Sequence, residues 1–106
     1  MNVPQEIMNQ IKTLGRIEMM SWGSHAFKAI SDKMLVEDFG SHLGALSFKV
    51  SGRIFSGDVA IVLMPNDTYT VRLGRLVKGR FNTKQMFDDV YVDNLIDVID
   101  SNVETK

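Results

Sequence analysis

Apolar residues at Val3, Ile7, Ile11 and Leu14 recur at four, four and three positions, which sets them along one side of a helix. Pro4 suits the first turn of such a helix and Gly15 a left-handed stop, so the spacing predicts a helix over residues 3–14. Beyond Gly15 the pattern changes to short runs rich in Ile, Val, Phe, Thr and Tyr, punctuated by Gly, Asn, Asp and Ser, as strands are. Residues 16–22, 26–31, 46–51, 59–64 and 68–73 are the strands this predicts.

Leu46-Ser47-Phe48-Lys49-Val50 and Thr68-Tyr69-Thr70-Val71-Arg72-Leu73 alternate strictly between apolar and polar, the pattern of a sheet with one wet face. Val59-Ala60-Ile61-Val62-Leu63-Met64 has no polar side and is expected in the middle of the sheet, covered above and below. Pro65-Asn66-Asp67 supplies turn residues, so the next strand should pair back as a hairpin. Residues 32–44 stay open between strand, helical turn and loop, with Met34-Leu35-Val36 fitting either of the first two.

Near the end, Val92, Leu95, Ile96, Ile99 and Val103 give a second helical stripe, with Asp88 and Asp89 placed where negative charge favours a helix start. Glu104 to Lys106 are expected to fray. Strands that follow one another without intervening helices cannot make parallel crossovers. The expected fold is therefore α+β: a mainly antiparallel sheet of about five strands, with an N-terminal and a C-terminal helix packed on its apolar face. A small barrel with a helix plugging an open end uses the same elements and is the alternative.

With 106 residues, 44% of them hydrophobic, the chain is expected to form a single domain spanning 1–106. Thirteen acidic against 12 basic residues leave a net charge of −1, so any attraction for nucleic acid or an anionic membrane has to be local. The lack of cysteine excludes disulfides, thiolate metal sites and cysteine nucleophiles. Met1 to Leu14 is interrupted by polar residues throughout, unlike a secretory signal, and the longest apolar run, Val59 to Pro65, is about a third of the ~20 residues a membrane-crossing helix needs. A soluble cytoplasmic protein is the expectation.

The two histidines, His25 and His42, stand in a repeated Gly-Ser-His tripeptide, Gly23-Ser24-His25 and Gly40-Ser41-His42. Paired imidazoles could hold a metal or activate a serine, but Gly-Ser-His is also turn composition, and neither histidine has a ligand-spaced carboxylate beside it. No nucleophile elbow, Gly-rich phosphate loop or His-Glu-x-x-His helix occurs. No catalytic residue, cofactor or metal is therefore expected.

Asp89, Asp93, Asp97 and Asp100 fall at helical spacing and are expected in one line on the outer side of the last helix, facing solvent. Before them, Arg72, Arg75, Lys78, Arg80 and Lys84 form a run without an acid, interleaved with Gly74, Gly79 and Phe81, the make-up of a phosphate-tracking surface. The competing use of these cations is to face the acidic helix within the molecule or in a partner subunit, which the near-zero net charge favours. Trp22 and the six phenylalanines, at 27, 39, 48, 55, 81 and 87, are expected in the core or at its rim. Seven methionines suit an adaptable self-association surface.

Leu46 to Gly52, Asn66 to Val71 and Val90-Tyr91-Val92-Asp93-Asn94-Leu95-Ile96-Asp97-Val98-Ile99 resemble a group of small uncharacterised bacterial proteins associated with prophages and mobile elements. The resemblance covers roughly residues 45 to 100 and supports the sheet-and-helix pattern. It transfers no catalytic residue, because that group has no established activity.

These features favour a non-enzymatic protein-interaction module, a homo-oligomer that makes contact through a sheet edge or a Met-rich surface. A weak nucleic-acid binder using Arg72, Arg75, Lys78, Arg80 and Lys84 is the alternative, and a hydrolase built on Ser24, His25 or His42 ranks last for want of an orienting carboxylate.

Overall fold

The computed structural model describes residues 3–31, 43–77 and 80–104. Helix α1 (Val3–Ser21) leads into strands β1 (His25–Ser31), β2 (Gly44–Ser51), β3 (Ser56–Leu63), β4 (Tyr69–Val77) and β5 (Arg80–Val90); a 3₁₀ turn at Val92–Asn94 then opens helix α2 (Leu95–Val103). The strands form one sheet in the order β1-β2-β3-β4-β5, each antiparallel to the next. The fold is thus α+β, and β1 and β5 are its edges.

β3 sits in the middle, where its unbroken apolar run belongs. Val59 and Ile61 point to the face that carries both helices, where they join Ile7 and Ile11 of α1 and Leu95 and Ile99 of α2. Ala60 and Val62 point the other way, into a smaller cluster with Ile30, Ala45 and Phe81. That second cluster changes the expectation of a wet face: Ser47 and Thr70, on the polar side of their strands, are 3% and 4% exposed. The turn after β3 is built as expected, with Asn66 Oδ1 accepting from the Thr68 hydroxyl at 2.7 Å and Asp67 taking a left-handed φ of 67°.

Four expectations are corrected. Residues 16–21 are helical and not a strand: the first helical segment breaks at Gly15 as expected, though its backbone is not left-handed (φ −145°, ψ 43°), and a second segment of α1 follows the kink. The left-handed glycine that ends the helix is Gly23, at φ 63°, whose N–H donates to the Met20 carbonyl at 3.1 Å. Residues 80–90 form a strand, so Asp88 and Asp89 close β5 and do not open a helix. Glu104, expected to fray, is held: its N–H bonds the Asp100 carbonyl and its carboxylate accepts from the Arg53 N–H at 3.0 Å. Of the stretch left open, Leu43 precedes β2 and Gly44 begins it, whereas Met34, Leu35, Val36 and Phe39 lie outside the described residues.

The helices are locked to the sheet at specific atoms. Gly15 lets α1 approach α2 closely, since a Cβ there would lie 2.7 Å from the Ile96 side chain. The turn between β2 and β3 caps α2, with the N–H groups of Ile54 and Phe55 donating to the Val103 carbonyl at 2.8 and 3.2 Å. That turn passes so near that a side chain at Gly52 would collide with the same carbonyl oxygen. Carbonyls at a helix C-terminus otherwise lack partners, so the cap is part of what keeps a nine-residue helix formed. Among the described residues no helix is long and apolar enough to cross a membrane.

Candidate functional site

The basic segment does not form a single strip. Arg72 is half-buried on the second face of β4, and its Nη1 donates to Thr83 Oγ1 on β5 at 2.9 Å. Arg75, past the β4 irregularity at Gly74, is exposed and paired in register with Asn82. Arg80 opens β5 opposite Val77, and Lys84 is the extra residue where the register slips between Gln85 and Thr83; both are exposed. Lys78 lies outside the described residues. The C-terminal ion pair that the structure places at 3.6 Å, Arg53 with Glu104, draws its cation from the β2–β3 turn and not from this segment.

The acidic residues are also dispersed. Asp88 accepts from the Thr70 hydroxyl at 3.1 Å, Asp93 lies in the 3₁₀ turn, and of the expected helical line only Asp97 and Asp100 are on α2. Asp100 faces inward enough to accept from the Trp22 indole at 2.9 Å. Asp88 and Asp89 instead line a groove of about 410 Å³ with Asn66, Thr68, Thr70 and Met64, at the end of the sheet that carries the β3–β4 turn.

At the opposite end, strand register assembles a smaller cleft of about 200 Å³. His25 of β1 stands across from Lys49 of β2, and Ser51 across from Ser56 of β3. Arg75 follows Gly74, which stands across from Asp58. These five side chains line the cleft with Val50 and Gly57. Lys49 Nζ lies 3.1 Å from Asp58 Oδ1, while Asp58 Oδ2 accepts the Leu76 N–H at 2.9 Å, so the buried carboxylate is satisfied from two strands. His25 Nδ1 is 2.7 Å from the Gly23 carbonyl oxygen, which can only accept, so that nitrogen carries the proton. The cations and the carboxylate groove therefore sit at opposite ends of the central strand, whose eight residues span roughly 25 Å at about 3.3 Å each.

The sequence singled out Arg75 and His25 for separate reasons and missed Lys49 altogether. They are 24 and 26 residues apart in the chain, and only the antiparallel register brings them together. His42, the other half of the Gly-Ser-His repeat, lies outside the described residues. Among the described residues no three His, Asp or Glu side chains are grouped closely enough to hold a metal ion.

The described surface also carries an apolar feature. Leu14, Ile17 and Met20 lie three residues apart on α1 and are 54%, 77% and 76% exposed. Residues three apart on a helix are neighbours, so Ile17 and Met20 share one side of the segment after the Gly15 kink, and Leu14 lies just before that kink. Leu14 fits the core stripe by spacing, yet it is excluded from the core.

Comparison with protein-family models, with curated proteins and with solved structures finds no match to this chain.

Proposed function

We propose that the chain is a non-enzymatic protein-interaction module that works in the cytoplasm and associates with a second copy of itself through the outer strip of α1. The observation that carries this reading is the exposure of Ile17 and Met20 on one side of α1 beyond the Gly15 kink, with Leu14 exposed just before it. Single exposed apolar residues are ordinary, whereas a contiguous strip keeps a standing cost in water that a partner removes. Met20 adds a side chain able to adapt to an imperfectly shaped counterpart.

Light scattering at tens of micromolar tests it, since association of micromolar affinity is then populated. The expected mass is at least twice the 11.9 kDa of the chain, and Ile17→Glu is expected to return it to 11.9 kDa with its circular dichroism spectrum unchanged. A wild-type protein that stays at 11.9 kDa at those concentrations sinks the reading.

Contact with nucleic acid is a second reading, supported by the exposure of Arg75, Arg80 and Lys84 along one hairpin. Binding of labelled DNA or RNA would then weaken steeply between low and moderate salt, and an absence of binding at low salt ends it.

A further inference from the structure

We propose that the cleft lined by His25, Lys49, Ser51, Ser56 and Arg75 binds a terminal phosphate group, as free phosphate or as a monoester. The cleft shares no residue with the α1 strip, so it stands or falls independently of self-association.

Its size comes first. At about 200 Å³ it lies below the roughly 300–1,000 Å³ of pockets that hold drug-sized molecules, and it suits a compact ion. Apart from Val50 and Gly57, every residue that lines it carries a polar side chain. The donors are of three kinds, two serine hydroxyls, an ammonium and a guanidinium, and they come from strands β2, β3 and β4, which fix their relative positions. Such a set matches an anion with several oxygens pointing in different directions. A planar carboxylate would leave part of it unused.

The charge is local and identifiable. Lys49 spends one of its three N–H donors on Asp58, and its side chain remains 49% exposed. Asp58, at 7%, is turned away into its two bonds and does not line the cleft. Lys49 and Asp58 cancel, and the exposed Arg75 supplies the surplus positive charge in a fork that can take two phosphate oxygens at once. His25 completes the set: with Nδ1–H given to Gly23, its Nε2 accepts from a protonated phosphate oxygen when the ring is neutral and donates to an ionised one when it is charged. A hydrogen phosphate offers both kinds of oxygen. Asp58, offset by Lys49, is the carboxylate beside the cleft, and the Asp88–Asp89 pair lies at the other end of β3.

The proposal is tested on the full chain by a ¹H–¹⁵N NMR titration with inorganic phosphate at constant ionic strength, with chloride as the control. Saturable shifts are expected at the amides of Ser51, Ser56, Gly57 and Arg75, with a Kd of about 1 mM or tighter. Arg75→Lys keeps the charge and loses the fork, and is expected to weaken binding about tenfold, while the spectrum without ligand shows the fold intact. A short oligonucleotide bearing a 5′-phosphate, compared with the same strand ending in a 5′-hydroxyl, separates a terminal group from backbone contact. Preference for the phosphorylated end supports the proposal. No saturation by roughly 20 mM phosphate, twentyfold above that Kd, overturns it. So do equal shifts in chloride, indifference to Arg75→Lys, or equally tight binding of the two oligonucleotides, whereas binding of neither beside saturable phosphate shifts assigns the site to the free ion.

Discussion

The indole Nε1 of Trp22 donates a 2.9 Å hydrogen bond to Oδ1 of Asp100, joining the residue just after α1 to the last turns of α2 across 78 positions of sequence. Trp22 is fully buried and stacks on Phe48 with ring centroids 6.4 Å apart. An acidic side chain near a helix C-terminus is unfavourable by itself, so Asp100 fits there as the acceptor that a buried N–H requires. Asp100→Ala should cost about 1–3 kcal/mol in chemical denaturation, the penalty of an orphaned donor. Asp100→Asn keeps an acceptor and should cost less. Combined with Trp22→Phe, the Asp100→Ala loss should shrink, and strictly additive losses would show that the bond does not couple the two helices.

Gly15→Ala should destabilise the fold. The added Cβ would meet three atoms of Ile96 at 2.7–2.8 Å, and overpacking of this kind costs typically about 1–3 kcal/mol. The usual helix-propensity gain does not offset it, because the backbone at Gly15 is not helical. Ile96→Val in the same background should recover part of the loss, which urea titration of the single and double variants measures.

Tyr69 predicts a loss of stability in alkali. Burial holds its hydroxyl above the ordinary value of 10.0; the 2.6 Å bond to Gln10 acts against this, since the amide can turn its NH₂ toward a phenolate, and the charge of Glu6 adds to the rise. A phenol whose folded pKa lies above its unfolded one stabilises the fold fully below the unfolded value, and that stability is lost as pH rises through the folded one. Melting temperatures should therefore fall above about pH 10, and Tyr69→Phe should flatten that fall. An identical alkaline slope in the variant would assign the loss to another group.

Asp58 is 5% exposed and bonds both Lys49 and the Leu76 amide. Its replacement by Ala leaves that amide without its acceptor and should cost about 1–3 kcal/mol. Lys49→Met removes the ammonium and leaves a carboxylate with one bond fewer, so it should also destabilise, and guanidinium denaturation of the two variants and the double tests whether the pair acts as a unit.

How much of this was legible depends on where each residue sits. The central strand was, because an unbroken apolar run after Asp58 has only one place in a single sheet. The first core stripe was legible in Val3, Ile7 and Ile11, and the second in Leu95, Ile96, Ile99 and Val103. The helical turn over residues 16–21 read as a strand because Ile17 and Met19 alternate with Arg16 and Glu18, and six residues do not separate a period of 2 from one of 3.6. Strand β5 was invisible: as an edge it exposes most of its length, and buried Phe81 and Val90 stand nine residues apart. The cleft was hidden for a different reason, since His25, Lys49 and Arg75 meet only through pairing register, which single residues do not announce.

The strictly sequential strand order has a consequence for how the molecule opens. Every sheet neighbour is also a chain neighbour, so either border strand can peel away while the ladders further in remain intact. Amide protons should then exchange with solvent water in a gradient, slowest along β3 and faster toward β1 and β5. His25, on a border strand, would leave the cleft whenever β1 detaches, and an ion seated there would hold that border closed.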